Sequence, residues 1–278
     1  MSGSGNGTHD VRIERARGLV VKRFRSARPD EPVREWTALS LLDRYAPGLA
    51  PAPVSADLDR DVPVIIMSLV PGTELSATPV APAQTSALAE ALERLWSAVP
   101  SVRQEFSGVT GDVAGKPAAF TTQVREMLAG DPPLGEDPVV LRAHALGSAW
   151  LEHAEFGRPG VHSRCAVLGH GDPYLANYLW DGSRVRIVDF EDSAPSDRAF
   201  ELAILAEHIS AWSDAHLDAD DFLTLFGLTG DEQARVRDFR RLAALFWLVM
   251  LRPGGPSSGR NPPGTLQRQA DRLLGLLS

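Results

Sequence analysis

His170-Gly171-Asp172-Pro173-Tyr174-Leu175-Ala176-Asn177 is followed, ten positions on, by Ile187-Val188-Asp189-Phe190-Glu191-Asp192. The two stretches read as one compact β island. Ala166–Leu168 is a short strand leading in, and Tyr178–Trp180 and Arg184–Val188 form a hairpin around the turn signal Asp181-Gly182. A tight loop lets Asp172 and Asn177 point into one site, and Asp189 arrives from the adjacent strand. Asn177 and Asp189 offer hard oxygen ligands of the kind that Mg²⁺ prefers. Asp172 can accept or orient a hydroxyl proton. The simpler alternative is that Asp172, Asn177 and Asp181 are turn residues, for which Asp and Asn are favoured. A second alternative makes His170 and Asp172 metal ligands. Their spacing suits a strand better than a helical metal site, and His162 is the nearest other histidine in sequence.

Working outward, the first part of the chain reads as strands plus one helix. Val11–Ala16 alternates apolar and polar residues, Leu19–Phe24 is β-rich, and Arg17-Gly18 supplies the turn. Glu31–Tyr45 has helical spacing, with Val33, Trp36, Leu39 and Leu42 on one face. Val62–Val70 reads as a buried strand ended by Pro71-Gly72. Beyond it the pattern is mainly helical, at Ala83–Val99, Thr121–Ala129, Val139–Ala154, Ala199–Trp212, Ala219–Phe226, Asp231–Met250 and Leu266–Leu277. Ser101–Ala118 is Gly- and Ser-rich and reads as a loop, as does Pro253–Pro263. The expected division is residues 1–72 as a nucleotide-binding part with a hinge, and 73–278 as a helical part holding the β island and the acceptor site.

Composition restricts the function classes. The 278 residues are 44% hydrophobic and 23% charged, the balance of an ordinary globular protein. The apolar run Leu242–Leu251 is far shorter than the roughly 20 residues that span a bilayer. Met1–Asp10 lacks the apolar core of a signal peptide, so a cytoplasmic location is expected and no membrane partner. The single cysteine, Cys165, excludes an internal disulfide. A net charge of −8 argues against nucleic acid as a partner. The first 72 residues carry 10 Lys/Arg against 9 Asp/Glu, and the remainder 18 against 27. That asymmetry suits an anionic cofactor on the first part and a cationic acceptor on the second. A solvated acidic surface is the plainer reading.

The Asp-to-Asn spacing and the Val-Asp-Phe-Glu-Asp form together resemble the catalytic loop and metal-binding segment of the aminoglycoside phosphotransferase and choline kinase family, relatives of protein kinases. Gly171, and the Glu after Phe190, are similar to its small-molecule branch. Ser196-Asp197-Arg198-Ala199-Phe200-Glu201-Leu202-Ala203 is similar to the family's Gly-Asp-Pro-x-x-Asp-Leu-Ala segment, with Ser, Arg and Glu as departures. The resemblance covers about Ser4 to His208. It implies an α+β, two-lobed protein kinase-like fold, with a small β-rich N-terminal lobe and a larger, mainly helical C-terminal lobe. It implies a kinase that moves the γ-phosphoryl group of ATP or GTP to an alcohol, with Mg²⁺ as cofactor. Such transfer depends on holding the hydroxyl in line and neutralising the phosphates. Asp172 takes the catalytic role, Asn177 and Asp189 the metal, and His170 and Asp197 the structural support of the loop.

For the nucleotide, the resemblance points to Ser4, Gly5 and Asn6 in the Gly-rich Ser2–Thr8 stretch, whose backbone N–H groups could approach phosphates. A Gly-rich tail is the alternative. Lys22, inward on its strand, would pair with the phosphates, and Glu35 on the following helix would orient it. An edge-strand lysine and a solvated Glu are the alternative. Val64–Gly72 is similar to the family's connector, where the Ser68 carbonyl and Val70 amide would read the adenine and Met67 would line the pocket. Glu191, Asp192 and Glu201 are candidates for an amine-bearing acceptor. An antibiotic-modifying enzyme of resistance or self-resistance is the first expectation, for an aminoglycoside, a nucleoside or a similar acceptor. A metabolite kinase of choline, homoserine, sugar or ketosamine type, or a pseudokinase without catalysis, is the alternative. The intact set Lys22, Glu35, Asp172, Asn177 and Asp189 argues against the last.

Overall fold

In the computed structural model of the chain, residues 9–25, 28–109, 115–130, 133–154 and 167–278 are described. Ser4, Gly5, Asn6, His162 and Cys165 lie outside them. Strands β1 (His9–Glu14), β2 (Leu19–Phe24), β3 (Pro53–Asp57) and β4 (Val64–Ser68) form an antiparallel sheet in the order β1-β2-β4-β3. Gly18, in the left-handed conformation at φ 64°, turns the chain between β1 and β2. The β2–β4 register sets Lys22 opposite Ile65 and Val20 opposite Met67. Helix α1 (Glu31–Tyr45) packs behind the sheet through Ala38, Leu39 and Leu42, with Pro32 in its first turn. The same buried face carries Glu35, which commits a charge to the interior.

The rest of the chain is a helical body, as its 3.6-residue periodicity predicts. It comprises β5 (Thr73–Glu74), α2 (Pro82–Ala98), the single turn α3 (Val102–Glu105), α4 (Gly115–Ala129) and α5 (Pro138–His153). Then come β6 (Val167–Gly169), β7 (Tyr178–Trp180), β8 (Val185–Ile187) and β9 (Ala194–Ser196). The C-terminal helices are α6 (Arg198–Glu207), α7 (Ala219–Thr224), α8 (Gly230–Met250) and α9 (Thr265–Leu277). Asp137, Asp218 and Thr229 cap α5, α7 and α8 through their side chains. Helix α6 packs along α8, and α5 along α9, around Phe200, Phe239, Leu245 and Leu273. The backbone bond from Ile187 N to Leu49 O, 2.9 Å, ties the hairpin to the first part of the chain.

The 101–118 stretch departs from its expected loop. Val102 and Phe106 are buried, which fixes one helical turn, and α4 opens at Gly115, before the predicted Thr121. Composition had hidden this, because scattered Gly and Ser interrupt any helical periodicity in the segment. The predicted Ala199–Trp212 helix ends its α-helical part at Glu207, and a π-helical turn, Ser210–Asp214, follows. Strands β3, β5 and β9 were not legible, being short and, in β3 and β9, interrupted by proline.

Candidate active site

Antiparallel pairing of β6 with β9 brings Gly169 opposite Ala194. The intervening segment is thereby returned on itself, and its functional residues converge. Asp172 accepts from the Asn177 amide N–H at 2.9 Å and from the Tyr174 N–H at 3.2 Å. This turns the Asn177 amide oxygen, a hard ligand, away from Asp172. Burial pushes the Asp172 carboxyl above its ordinary range, against the opposing pull of His170 and these donors. The loop is fixed from behind. The His170 ring stands between two carbonyls, Nδ1 at 2.7 Å from Asp172 O and Nε2 at 2.8 Å from Val188 O. Gly171 lies at φ 83°, and a Cβ there would come within 2.3 Å of the Asp192 carbonyl oxygen.

Asp197 caps α6 through the Ala199 N–H at 2.8 Å and pairs with Arg235 at 3.1 Å. Glu201, expected at the acceptor, is buried instead. It accepts from Ser196 Oγ at 2.6 Å and from the His170 N–H at 3.1 Å. It braces the 170–177 loop, a role its place one turn into α6 makes natural.

Lys22 and Glu35 meet as predicted, at 2.6 Å, with the Lys22 and Glu35 side chains 3% and 1% exposed. Both figures exclude the edge-strand alternative. The Lys22 ammonium also bonds Asp189 and lies 2.9 Å from Glu191. Burial opposes its charge, but the three carboxylates outweigh burial and raise its pKa. Burial raises the Glu35 carboxyl against the Lys22 attraction. Glu191 was the second acceptor candidate. The structure places it here, where His9 at 3.1 Å and Lys22 hold its carboxyl down to about 2 in spite of burial. Asp189 takes φ 68°, an uncommon conformation for a non-glycine residue and one that clusters at functional sites. Met67 is buried in β4, and Val70 lies just beyond the strand's end. The Ser68 hydroxyl accepts from the Ala52 N–H at 2.8 Å, which holds the connector against the segment before β3.

The donor set fits Mg²⁺. Asp189 and Glu191 bring carboxylate oxygens within 4.8 Å of each other, and already attract a cation, the Lys22 ammonium. Asn177 and Asp189 would hold the ion, with Glu191 beside them.

A cavity of about 430 Å³ opens on the other side of Asp172. Its walls come from α4, α6 and α8 and its floor from Gly171, Asp172 and Pro173. Phe120, Phe200, Phe246 and Trp247 line it, together with His208. His208 Nδ1 accepts from the Ser210 N–H at 3.1 Å and lies 2.7 Å from its hydroxyl, which accepts from the Leu175 N–H. Burial takes the His208 pKa down to about 3. At the mouth, Asp192 meets Arg28 at 2.7 Å and Lys116 at 3.4 Å. Asp192 is thus the one acidic candidate that does line the cavity.

Sequence reading missed Lys116, Arg28 and the aromatic walls. One signal was present for Lys116. Lysine occurs only at positions 22 and 116 among the 28 basic residues, and both reach this site.

A model of the phosphotransferase enzyme family matches residues 2–243. Comparison of the sequence with curated proteins gives no match. Among solved structures, the aminoglycoside phosphotransferase APH(4)-Ia is similar at 16% identity and a TM-score of 0.64, over 100% of this chain and 92% of that one. A choline/ethanolamine kinase family protein from Mesorhizobium loti is similar at 18% and 0.60, over 98% and 85%. The spectinomycin phosphotransferase APH(9)-Ia, solved with ADP and spectinomycin, is similar at 12% and 0.61, over 99% and 87%. At these identities the likeness establishes the protein kinase-like fold.

Proposed function

Because this chain belongs to the phosphotransferase enzyme family, we propose that it transfers the γ-phosphoryl group of ATP to a hydroxyl of a small molecule, with Asp172 as the group that orients that hydroxyl. One observation carries the reading. Lys22 from β2 reaches Asp189, Asn177 bonds Asp172, and the backbone bond from Val188 N to Asn177 O, 2.9 Å, sets the two pairs side by side. The acceptor hydroxyl gives its proton to Asp172 as its oxygen bonds the γ-phosphorus. The bond from that phosphorus to the bridging oxygen breaks, and ADP leaves. A raised Asp172 pKa suits a group that takes a proton for part of the cycle. Lys22, held by Glu35, turns its charge toward the phosphates. When bound at Asn177 and Asp189, Mg²⁺ neutralises the charge of the phosphates. Backbone groups between Ser68 and Val70 would take the adenine, with Met67 behind it.

The acceptor we favour is antibiotic-type, a compound of one or more rings. A cavity of about 430 Å³ falls in the range that takes drug-sized ligands and exceeds what a metabolite of choline's size would fill. Hygromycin B and spectinomycin, bound in similar structures, are ring-bearing compounds of drug size; both also carry amines, and only their size and ring content support the reading. Among the described residues no helix is long and apolar enough to cross a membrane.

The test is phosphoryl transfer from labelled ATP and GTP to a panel of ring-bearing antibiotics and metabolite alcohols. Turnover is expected for at least one acceptor and is lost in Asp172→Ala with nucleotide binding retained. Wild-type turnover in that variant would remove Asp172 from the chemistry. In Asp189→Ala the Mg²⁺–nucleotide affinity should fall, and an unchanged affinity would count against its metal role.

A further inference from the structure

We infer that the acceptor is an uncharged, ring-bearing alcohol held flat against aromatic walls, and not an amine-rich sugar; this rests on the phosphotransferase reading of the same site. The walls are built before any ligand arrives. Phe120 lies 4.9 Å from Phe246 and 5.5 Å from Phe200, and Phe246 lies 5.4 Å from Trp247, all tilted or edge-on. Rings that hold one another in such arrangements keep their orientation, and Phe120, Phe246 and Trp247 stay half-buried where they line the cavity. His208 continues the wall, edge-on to Trp247 at 4.9 Å, and burial keeps it neutral. Its Nδ1 accepts the Ser210 N–H, which also requires an unprotonated nitrogen there.

A polycation needs several carboxylates free to meet it. Among the described residues lining this cavity the carboxylates are Asp172 and Asp192. Asp172 is committed to the hydroxyl. Asp192 is already shared by Arg28 and Lys116, with Arg34 a further 4.0 Å contact. An incoming amine would therefore meet a guanidinium and an ammonium as well as the carboxylate between them. Glu191 and Glu201, the other acidic groups that sequence alone would send to the acceptor, are turned to Lys22 and His9, and to Ser196 and His170. A quaternary ammonium would gain cation–π contact with the same walls, but it faces the same two cations.

Calorimetric titration of the full chain, saturated with Mg²⁺ and a non-hydrolysable ATP analogue, separates these cases. The probes are 2-naphthaleneethanol, neomycin and choline. The naphthalene alcohol is expected to bind at least about ten-fold more tightly than either cation. Phe246→Ala should weaken it about ten-fold or more, and Phe246→Leu, which keeps an apolar side chain, by less. The inference is overturned if neomycin or choline binds as tightly as the naphthalene alcohol, if that alcohol does not bind, or if both folded Phe246 variants bind it as the parent does. Titration with the nucleotide analogue alone, on the parent and on Lys22→Met, tests the underlying reading separately. Nucleotide binding with the wrong acceptor preference overturns only the acceptor class, whereas absence of nucleotide binding overturns the phosphotransferase reading.

Discussion

The two sides of Asp172 are built on opposite principles. Toward β2 lies a knot of charge, in which one buried ammonium is held by Glu35, Asp189 and Glu191. Toward α8 lies an aromatic chamber at whose mouth Asp192 is matched by Arg28 and Lys116. On the proposed reading the first side meets a partner of strong and invariable charge, with Glu35 holding Lys22 as it faces the phosphates. The second offers shape and apolar surface, which discriminate among acceptors by fit. A phosphotransferase needs both, because its donor is fixed while its acceptor defines the individual enzyme.

The largest effect that would break this contrast is at its midpoint. Asp172→Asn should lower turnover by about 10²–10⁴-fold, measured as initial phosphoryl-transfer rate. The same change should raise the melting temperature near neutral pH. Burial lifts the Asp172 pKa in the folded chain, so the folded state binds the proton more tightly than the unfolded one. Stability is then lost as pH rises from the ordinary carboxylate value through the raised one, and Asn removes that loss. A melting temperature below the parent's would show that its hydrogen bonds outweigh burial.

On the charged side, Lys22→Ala strands Glu35 without its cation at 1% exposure. Breaking a buried pair in this way costs about 3–5 kcal/mol, read as the shift in urea midpoint. A loss under about 1 kcal/mol would mean that Glu35 simply takes up a proton. Between the two sides, Gly171→Ala forces a Cβ against the Asp192 carbonyl in a left-handed backbone. It should cost about 1–3 kcal/mol of stability and reduce turnover further than thermal unfolding explains.

Over the first pH unit in which it shows, the smallest effect belongs to the aromatic side. His208 is depressed to about 3 from an ordinary 6.5, so the unfolded chain takes up a proton that the folded chain refuses. Stability is full above 6.5 and falls with pH toward 3, by about 1 kcal/mol over the first unit below 6.5. His208→Gln should flatten that slope in melting curves run across the window. An unchanged slope would place the acid sensitivity elsewhere.

The contrast also explains what the sequence could tell. The charged side was legible because its chemistry demands particular residue types at short, fixed spacings. Asp172, Asn177 and Asp189 lie within eighteen positions, whereas Lys22 and Glu35 came from the family resemblance, since the helical face read from periodicity was Val33, Trp36, Leu39 and Leu42. The chamber's walls are ordinary apolar positions of α4, α6 and α8. Phe120, Phe200 and Phe246 share no local pattern, and each would read as core in isolation. Glu191 and Glu201 were misplaced for a related reason. An acidic residue near the catalytic loop announces its charge but not its direction. Only the φ of Asp189 and the packing of α6 decide whether it faces the cavity, the lysine or the loop's own amides. Lys116 fell in a segment judged by its glycines, although a lysine in an arginine-dominated chain was itself a clue.

The pairing of β6 with β9 has an implication for how this enzyme can be altered. Both ends of the segment from His170 to Ser193 are clasped together at Gly169 and Ala194, and its far tip is the exposed hairpin turn at Gly182 and Ser183. Catalytic geometry is therefore anchored at the base, with the tip left as a free end of the architecture. Extra residues, a fluorescent reporter or an affinity peptide could be grafted at Gly182–Ser183 without displacing Asp172 or Asp189. Within this stretch of chain, that tip is where evolution or an engineer could add a new module at least cost to the chemistry.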